Sequence, residues 1–170
     1  MEMGLKDTAK AIQDRFGVEM KEFRDQISLI VPPERIVEIA TTLRDEYGFN
    51  MLSDETAVDY WPQEEPRFHV IYQLRNLTSL QLITLRAPLN GNAPRMETLE
   101  KVFPNANWFE RELWDMFGIV FEGHSDLRRI LMPYDWEGHP LRKDFPLGYE
   151  EVQFTFNAKE IMMRKPHPKE

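Results

Sequence analysis

Apolar residues recur at helical spacing in two stretches of the first fifty positions. The first stretch ends before Gly17, and its apolar members are Leu5, Ala9, Ile12 and Phe16. The second begins after Pro32, because Pro33 suits the first turn of a helix, and it ends at Gly48. Its apolar members are Ile36, Ile39, Ala40, Leu43 and Tyr47. Two amphipathic helices are therefore predicted.

Segments with strand composition separate these helices and follow them. They span residues 18–23, 26–31, 51–60, 67–74 and 79–87. The order of one helix, two strands, a second helix and three strands predicts an α+β fold, a two-layer sandwich with the helices packed on one face of a sheet. The polar loop at 61–66 is bounded by prolines and is expected to be exposed.

Short helices are predicted beyond the sandwich. Pro94 is expected to introduce the first of them, whose apolar members are Met96, Leu99 and Val102. A second helix is expected to begin near Pro104, where a side-chain oxygen of Asn105 or Asn107 can cap its first N–H groups.

The last fifty residues combine frequent Gly and Pro with large aromatic side chains. The aromatic residues include Tyr134, Trp136, Phe145, Tyr149, Phe154 and Phe156. A solvated linker would not carry so many aromatics, whereas a segment that lies against a partner surface would. The predicted division is an α+β domain over 1–89, a helical segment over 90–118 and an extended partner-binding tail over 119–170.

Composition narrows the classes of function. The 170 residues carry a formal net charge of −8 and a sequence pI of about 5.1, which argues against nucleic acid or an anionic lipid surface as the main partner. The absence of cysteine excludes disulfides, thiolate metal sites, cysteine-ligated iron–sulfur clusters and a cysteine nucleophile. No leader pattern opens the chain, and the longest apolar run, 27–31, is far short of the roughly 20 residues of a membrane span. Any membrane association is therefore expected to come through a partner.

The most informative stretch is the predicted helix over 107–118. One face is apolar and consists of Phe109, Leu113, Met116 and Phe117. The charged residues at the other positions are Glu110, Arg111, Glu112 and Asp115. This pattern predicts an amphipathic helix with a solvated charged face, on which Arg111 and Asp115 can pair at i, i+4. Trp108 and Trp114 lie off the apolar stripe and leave room for a second buried face against a partner.

His124 and His139 each follow a glycine and open two chemical alternatives. One is a metal site completed by carboxylates such as Asp126 or Glu137, and the other is general acid–base catalysis by a histidine with a carboxylate. No helical His pair, H-E-x-x-H pattern, nucleophile motif or phosphate loop accompanies them. The sequence therefore favours a third interpretation, in which the ring nitrogens bond backbone groups and nearby arginines pair with carboxylates.

Three ordered blocks carry a resemblance to a known family. They are ERELWDMFGI at 110–119, GHSDLRRIL at 123–131 and GHPLRKDFP at 138–146. Together they resemble the pattern of the C-type subunit of NADH:quinone oxidoreductase, complex I of the respiratory chain. The family usually has proline where this chain has Ser125, a change that is expected to relax one turn.

The resemblance implies a structural subunit in the peripheral arm of this proton-translocating complex, on the cytoplasmic face of the membrane or the equivalent organelle face. It implies no catalytic, cofactor-binding or metal-binding residue in this chain, whereas the whole complex uses NADH, FMN, iron–sulfur clusters and quinone. The implied partners are other complex I subunits, chiefly the large D-type subunit and the cluster-bearing subunits of the quinone module. Nucleic acid is not an implied partner, and the membrane is contacted only through the complex.

The charged and histidine residues of the three blocks form the predicted partner interface. The candidates are Glu110, Arg111, Glu112, Asp115, His124, Asp126, Arg128, Arg129, His139, Arg142, Lys143 and Asp144. The alternative function is the equivalent subunit of a related membrane-bound hydrogenase, a formate hydrogenlyase-like complex or a dehydrogenase fed by ferredoxin or a deazaflavin. Two other classes are a stand-alone enzyme, which turnover by the purified chain would reveal, and a generic adaptor, which a stable monomer with an exposed aromatic patch would indicate.

Overall fold

The computed structural model describes residues 4–146 together with Lys159 and Met163. Its elements, in chain order, are α1 (Leu5–Phe16), β1 (Glu19–Phe23), β2 (Gln26–Ile30), a 3₁₀ turn (Pro33–Arg35), α2 (Ile36–Tyr47), β3 (Met51–Asp59), β4 (Phe68–Arg75), β5 (Leu82–Leu89), β6 (Arg95–Glu97), α3 (Ala106–Phe117) and β7 (Val120–Glu122). Within this described part of the chain, no helix has the length and apolar character to cross a bilayer.

Five strands form one sheet in the order β1-β2-β5-β4-β3. Strands β2 and β5 run parallel, and the other neighbours are antiparallel. The parallel pair requires a crossover, which the chain makes through α2, β3 and β4. The predicted α+β fold with its order of helix, two strands, helix and three strands is confirmed.

Alternation along the strands gives the sheet one buried face. On β4, Phe68, Val70, Tyr72 and Leu74 are buried, while the residues between them are half-exposed. The buried side chains join those of α1 and α2 in one apolar core, which continues through Leu113 of α3 and Phe121 of β7. Helices therefore cover one face of the sheet, and the opposite face, which carries the alternate residues, has no described helix against it.

The prediction of a short helix after Pro94 is wrong. Met96 lies instead in strand β6, which pairs in parallel with β7 and places Met96 opposite Phe121. The ladder begins where the N–H of Val120 donates to the carbonyl of Pro94, 3.0 Å away. Leu99 and Val102 are buried in the turns that follow, so their helical spacing reflects burial of loop side chains and not a helix.

The predicted helix over 107–118 is confirmed as α3, but the predicted side-chain cap is not present. Asn105 occupies the N-cap position without a side-chain cap bond, and its Nδ2 donates to the carbonyl of Leu52 at 2.8 Å. The Nδ2 of Asn107 donates to Glu100 Oε1 at 2.9 Å. Each asparagine therefore fastens the start of α3 to a neighbouring segment and leaves the first N–H groups of the helix without a side-chain cap.

Residues 123–146 contain no helix or strand. They lie back over α3 and one end of the sheet, as the contacts described below show. The predicted division of the chain at 89 and 118 stays a prediction, and the tail aromatics Tyr149, Phe154 and Phe156 lie outside the described residues.

Candidate functional site

A layer of buried and partly buried polar side chains joins the segment 123–146 to α3 and the sheet, and its outermost member, Asp144, is 37% exposed. We call it the polar seam, and its members are Asp59, Arg67, Asp115, Arg129, His139, Arg142 and Asp144. The seam is the part of the described chain where the family-like sequence blocks meet the α+β core. The hydrogen bonds and ion pairs of the seam therefore show how the side chains of those blocks are used within the chain.

Asp115 of α3 is the anchor of the seam and is fully buried. One carboxylate oxygen accepts three successive backbone N–H groups, from Ile130 at 3.0 Å, Leu131 at 2.8 Å and Met132 at 2.9 Å. The other oxygen accepts from the guanidinium of Arg129. Burial alone would raise the pKa of Asp115, but these N–H groups and the Arg129 cation together lower it. The carboxylate thus holds the turn at 130–132 in one conformation.

Arg129 extends this anchor outward to the next turn. Its NH2 group donates to the carbonyls of Trp136 at 2.6 Å and Gly138 at 3.0 Å, and its guanidinium lies 5.6 Å from the ring of Trp114. A planar guanidinium with five donors is suited to linking several acceptors in fixed directions. One arginine therefore connects α3 to both halves of the loop.

The segment 139–142 closes the carboxyl-terminal end of α3. Three carbonyls of the last helical turn accept bonds from it: Asp115 from His139 Nδ1 at 3.0 Å, Met116 from the N–H of Leu141 at 3.0 Å, and Phe117 from Arg142 Nε. These carbonyls have no partner inside the helix, and a cation is favourable at this negative end. His139 donates from Nδ1 to a carbonyl, so Nδ1 carries a proton. Burial is the largest influence on the pKa of His139 and lowers it.

Gly118 permits this closure. Its φ of +71° is the left-handed conformation that ends a helix, and a Cβ built there would lie 2.5 Å from the imidazole of His139 and 2.7 Å from Arg142. Two independent features therefore require a glycine at this position: the left-handed backbone conformation and the close packing of His139 and Arg142.

Arg67 fixes the far end of the segment to the sheet. The Arg67 side chain is completely buried, and it bonds two carboxylates, with NH2 at 3.0 Å from Asp59 Oδ2 and 2.6 Å from Asp144 Oδ1. Its guanidinium also lies 4.8 Å from the rings of Trp61 and Phe68. Arg67 lowers the pKa of Asp144, whose side chain is 37% exposed.

Glu110 lies on the same helix as Asp115 but faces the sheet, also fully buried. Its carboxylate accepts from the N–H of Leu99 at 2.6 Å and from the hydroxyl of Thr98. Burial, the largest cause, raises the pKa of Glu110 to about 7. Behind it lies Glu55 of β3, whose two carboxylate oxygens are buried with no hydrogen-bond partner in the described structure, and whose pKa is also raised by burial and by Glu110.

His124 bonds backbone groups with both ring nitrogens. Its Nδ1 accepts from the N–H of Asp126 at 2.9 Å, so Nε2 carries the proton and donates to the carbonyl of Asn107 at 3.1 Å. Both nitrogens are thereby used, which leaves neither lone pair for a metal. The predicted use of histidine nitrogens by backbone groups is thus observed at His124 and at His139.

The solvated charged face predicted for α3 is wrong. Glu110, Arg111 and Asp115 are buried, and only Glu112 of the four charged residues is exposed. The predicted pair of Arg111 with Asp115 is also absent, because Asp115 bonds Arg129 while Arg111 donates to the carbonyls of Arg128 and Arg129. A helix that is covered on a second side by its own chain needs those charges for internal bonds.

The interface candidates divide by where the structure places them. Seven are engaged inside the chain, namely Glu110, Arg111, Asp115, His124, Arg129, His139 and Arg142, and the exposed Asp144 bonds the buried Arg67. The outward ones are Glu112, Asp126, Arg128 and Lys143, with Arg128 and Asp126 paired at 2.8 Å on the surface. Contact of any of the twelve with a partner stays a prediction.

Large apolar side chains stand outward on the segment that the seam holds. Tyr134 is 95% exposed, Leu131 60% and Leu141 53%, and Trp108 at the start of α3 is 60% exposed. Three of these residues lie on the one segment that the seam holds in place, which makes them candidates for contact with a partner. We call Leu131, Tyr134 and Leu141 the apolar rim.

Sequence reasoning missed Asp59, Arg67 and Glu55. Asp59 ends one strand and Arg67 precedes the next, and their shared partner segment is distant, since Asp144 is 77 positions away from Arg67. No local spacing reveals such a pair. Glu55 could have been noticed in the sequence. It stands at an inward position of β3, on the same face of the strand as the buried Ala57, where a half-buried strand is expected to carry an apolar residue.

Comparison with known proteins agrees with the sequence resemblance. The family model described as "Respiratory-chain NADH dehydrogenase, 30 Kd subunit" matches residues 29–151. The C-type NADH-quinone oxidoreductase subunit of Roseiflexus sp. (strain RS-1) is 52% identical over 151 residues, which cover 88% of this chain and 86% of the relative. The same subunit of Geobacter metallireducens is 44% identical over 76% of this chain and 80% of its own.

Two solved structures share the fold. A trypsin-resistant fragment of Nqo5 has a TM-score of 0.65 and 31% sequence identity over 74% of this chain and 100% of the fragment. A chain of the membrane-bound sulfane sulfur reductase, an archaeal respiratory membrane complex, has a TM-score of 0.74 over 97% of this chain and 95% of that chain, with 23% identity, and is alike in fold. With a family model over residues 29–151 and relatives of such identity, the chain belongs to the family of the 30-kDa subunit of the respiratory-chain NADH dehydrogenase, the C-type subunit of NADH-quinone oxidoreductase.

Proposed function

We propose that this chain is a cofactor-free structural subunit of the peripheral arm of NADH:quinone oxidoreductase, which docks on the large D-type subunit of the quinone module. In this role it supports electron transfer from NADH to quinone, while FMN, iron–sulfur clusters and quinone are bound by other subunits. It lies at the cytoplasmic face of the membrane and reaches the membrane only through the complex. Membership of the 30-kDa subunit family supports the assignment to such a complex.

The single observation that carries the docking proposal is the apolar rim on a rigidly anchored segment. The buried Asp115 and the partly buried Arg129 hold the turns of the segment by at least six hydrogen bonds, while Leu131 and Tyr134 are exposed. A surface that is already ordered loses less conformational entropy when it binds. Internal charges that order an external apolar surface are therefore what a docking subunit requires.

A subunit without cofactors can affect electron transfer by excluding water and fixing the position of its neighbours. The buried charges of the seam bond one another and nearby backbone groups, so they are already used within the chain. The exposed apolar surface, and not the seam itself, is the part that a large partner would cover.

The test is a single substitution on the rim with an exposure-matched control. Leu141→Ser is compared with Leu77→Ser, because both leucine side chains are 53% exposed and Leu77 lies in the turn after β4, away from the seam. Fully burying a leucine stabilises by about 1.5–3 kcal/mol, and docking can cover only the exposed half of Leu141, so Leu141→Ser is expected to weaken docking by roughly fourfold to fifteenfold. The tagged full chain would be purified from membranes under mild detergent and the amount of the co-purifying D-type subunit measured.

Unchanged recovery of the D-type partner with Leu141→Ser, combined with wild-type stability of the chain, would contradict docking through the rim. Deletion of 119–170 is a poor substitute, because Ile119 and Phe121 are core residues and their removal would unfold the chain. The identity of the co-purifying proteins also tests the complex: a flavin-bearing NADH module supports the proposal, and a nickel-binding large subunit would assign the chain to a hydrogenase instead.

A further inference from the structure

A second polar site lies on the open face of the sheet, opposite the helices. An open cavity of about 220 Å³ is lined there by Lys21, Ile30, Tyr60, Gln63, His69 and Arg86. These residues come from β1, β2, β4 and β5 and from the loop after β3, and the register places Arg86 beside both Ile30 and Ile71. None of them takes part in the polar seam or the apolar rim.

The lining of this cavity contains two cations and no carboxylate. Arg86 donates from Nε to His69 Nδ1 at 3.0 Å and from NH2 to the hydroxyl of Tyr60, both neutral acceptors. Among the described residues no carboxylate lies within ion-pair distance of Arg86, whereas Arg67 and Arg129 each have one or two. Lys21 pairs with Glu19 at 3.5 Å, and both of those side chains are more than 60% exposed.

His69 adds a neutral imidazole to the lining of the cavity. Because its Nδ1 accepts from Arg86, the ring proton lies on Nε2. Burial, followed by the charges of Arg86 and Lys21, lowers the pKa of His69 to about 4, so the ring is neutral at pH 7 and keeps this tautomer. The cavity therefore offers guanidinium, ammonium, phenol, amide and imidazole N–H or O–H groups with no competing anion in its lining.

We propose that this cavity receives a carboxylate side chain from a neighbouring subunit of the complex, with Arg86 as its central ligand. A half-buried guanidinium without a counter-ion is unfavourable, and a carboxylate matches its geometry through two parallel bonds. No described helix covers the sheet face around the cavity. The chain as a whole is acidic, with a net charge of −8, so this cationic cavity is a local exception. Its charge is complementary to that of a carboxylate. The inference rests on the proposed function, since it requires a neighbouring subunit.

The test uses the intact complex and the amine of Lys21 as a reporter. A carbodiimide joins a lysine amine to a carboxylate only when they are in contact, and the Glu19→Gln variant removes the carboxylate of this chain that is near Lys21. We expect mass spectrometry to find Lys21 joined to an Asp or Glu of another subunit. Arg86→Gln is expected to lower the yield of that product about tenfold, the effect of losing one charge-assisted hydrogen bond.

Arg75→Gln is the matched control, because Arg75 lies at the other end of β4 on the same open face. It should leave the yield unchanged. A complex that assembles normally but gives no Lys21 product with another subunit would overturn this inference and leave the proposed function standing. A product that is insensitive to Arg86→Gln would overturn Arg86 as the ligand.

Two other results would also overturn the inference, one by showing a free oxyanion as the occupant and one by showing that no neighbouring subunit exists. If inorganic phosphate added to the isolated full chain raises the pKa of His69 by NMR while the complex shows no Lys21 product, the cavity is a site for a free oxyanion and the inference is overturned. If the chain never co-purifies with other subunits, both the inference and the proposed function are overturned.

Discussion

At the scale of single residues, Glu110 of α3 and Glu55 of β3, buried between the helix and the sheet, make the stability of this chain depend on pH. The pKa of Glu110 is raised from 4.5 to about 7 by burial, so the folded chain holds a proton there that the unfolded chain has released. This contribution is complete below pH 4.5 and is lost as the pH rises to about 7. A shift of this size corresponds to about 3 kcal/mol.

Glu110→Gln is therefore expected to flatten the fall in the free energy of unfolding between pH 4.5 and 7. A glutamine can still accept from the N–H of Leu99, and its amide can donate to the hydroxyl oxygen of Thr98, so the local packing is kept. Urea unfolding of the full chain at several pH values measures the change. The exposed neighbour Glu112→Gln is the control and should keep the wild-type slope; an equal slope in both variants would show that Glu110 is ionised in the folded chain across this range.

Which charges pair could not be predicted from the sequence, for a physical reason. The spacing of Arg111 and Asp115 indicates a helical pair, but Asp115 gains more from three backbone N–H groups and Arg129, which lie 14–17 positions away. Helical spacing reports only what neighbours on one helix can do. The off-stripe Trp114 does lie under Arg129 and His139 of the same chain, whereas Trp108 stays 60% exposed, and the sequence pattern did not distinguish the two.

At the scale of elements, the junction of α3 with the segment 139–142 is the point most sensitive to a small change. Gly118→Ala must place a Cβ 2.5 Å from the His139 ring while it keeps a φ of +71°. Gly17 is the matched control, because it ends α1 with a φ of +68° and has nothing within 4 Å of the added Cβ. Gly17→Ala is expected to cost about 1–2 kcal/mol, the left-handed backbone cost alone.

Gly118→Ala is expected to cost about 2 kcal/mol more than Gly17→Ala, roughly the cost of overpacking a well-packed site. Part of that cost should appear as faster hydrogen exchange of the Leu141 amide, whose bond to Met116 belongs to the same closure. Chemical unfolding and amide exchange of the full chain measure the two effects. Equal losses in the two variants would mean that the segment 139–142 moves away freely and does not clamp the helix end.

Elements were predictable where burial follows one period. The alternation of β4 and the stripes of α1 and α2 fix both type and extent, because each element buries one face on the same core. The three-residue strand β6 was not, since Met96, Leu99 and Val102 mimic helical spacing while only Met96 lies in a ladder with β7. A strand this short is specified by its partner strand, which begins 23 residues after β6 ends.

At the scale of the whole molecule, one set of charges bonds buried groups and shapes the chain, and another set pairs only at the surface. Asp144 and Arg128 stand for the two sets, and both lie in the family-like blocks. Asp144 pairs with the completely buried Arg67, so Asp144→Ala leaves a buried cation with one of its two carboxylates. Arg128 pairs with Asp126 on the surface, and its side chain is 72% exposed.

The two alanine variants should therefore lower the amount of assembled complex for different reasons. Asp144→Ala is expected to reduce the free energy of unfolding of the isolated chain, by less than the roughly 3–5 kcal/mol of a fully buried pair because Asp59 still bonds Arg67 and Asp144 is partly solvated. Arg128→Ala should change that free energy by less than about 1 kcal/mol and yet lower recovery of the complex, because an exposed charge adds little to folding and is free to contact a partner. Urea unfolding of each chain and native gels of the complex separate the cases. A loss of stability with Arg128→Ala equal to that with Asp144→Ala would show that the surface arginine acts through the fold, and full assembly with Arg128→Ala would remove it from the interface.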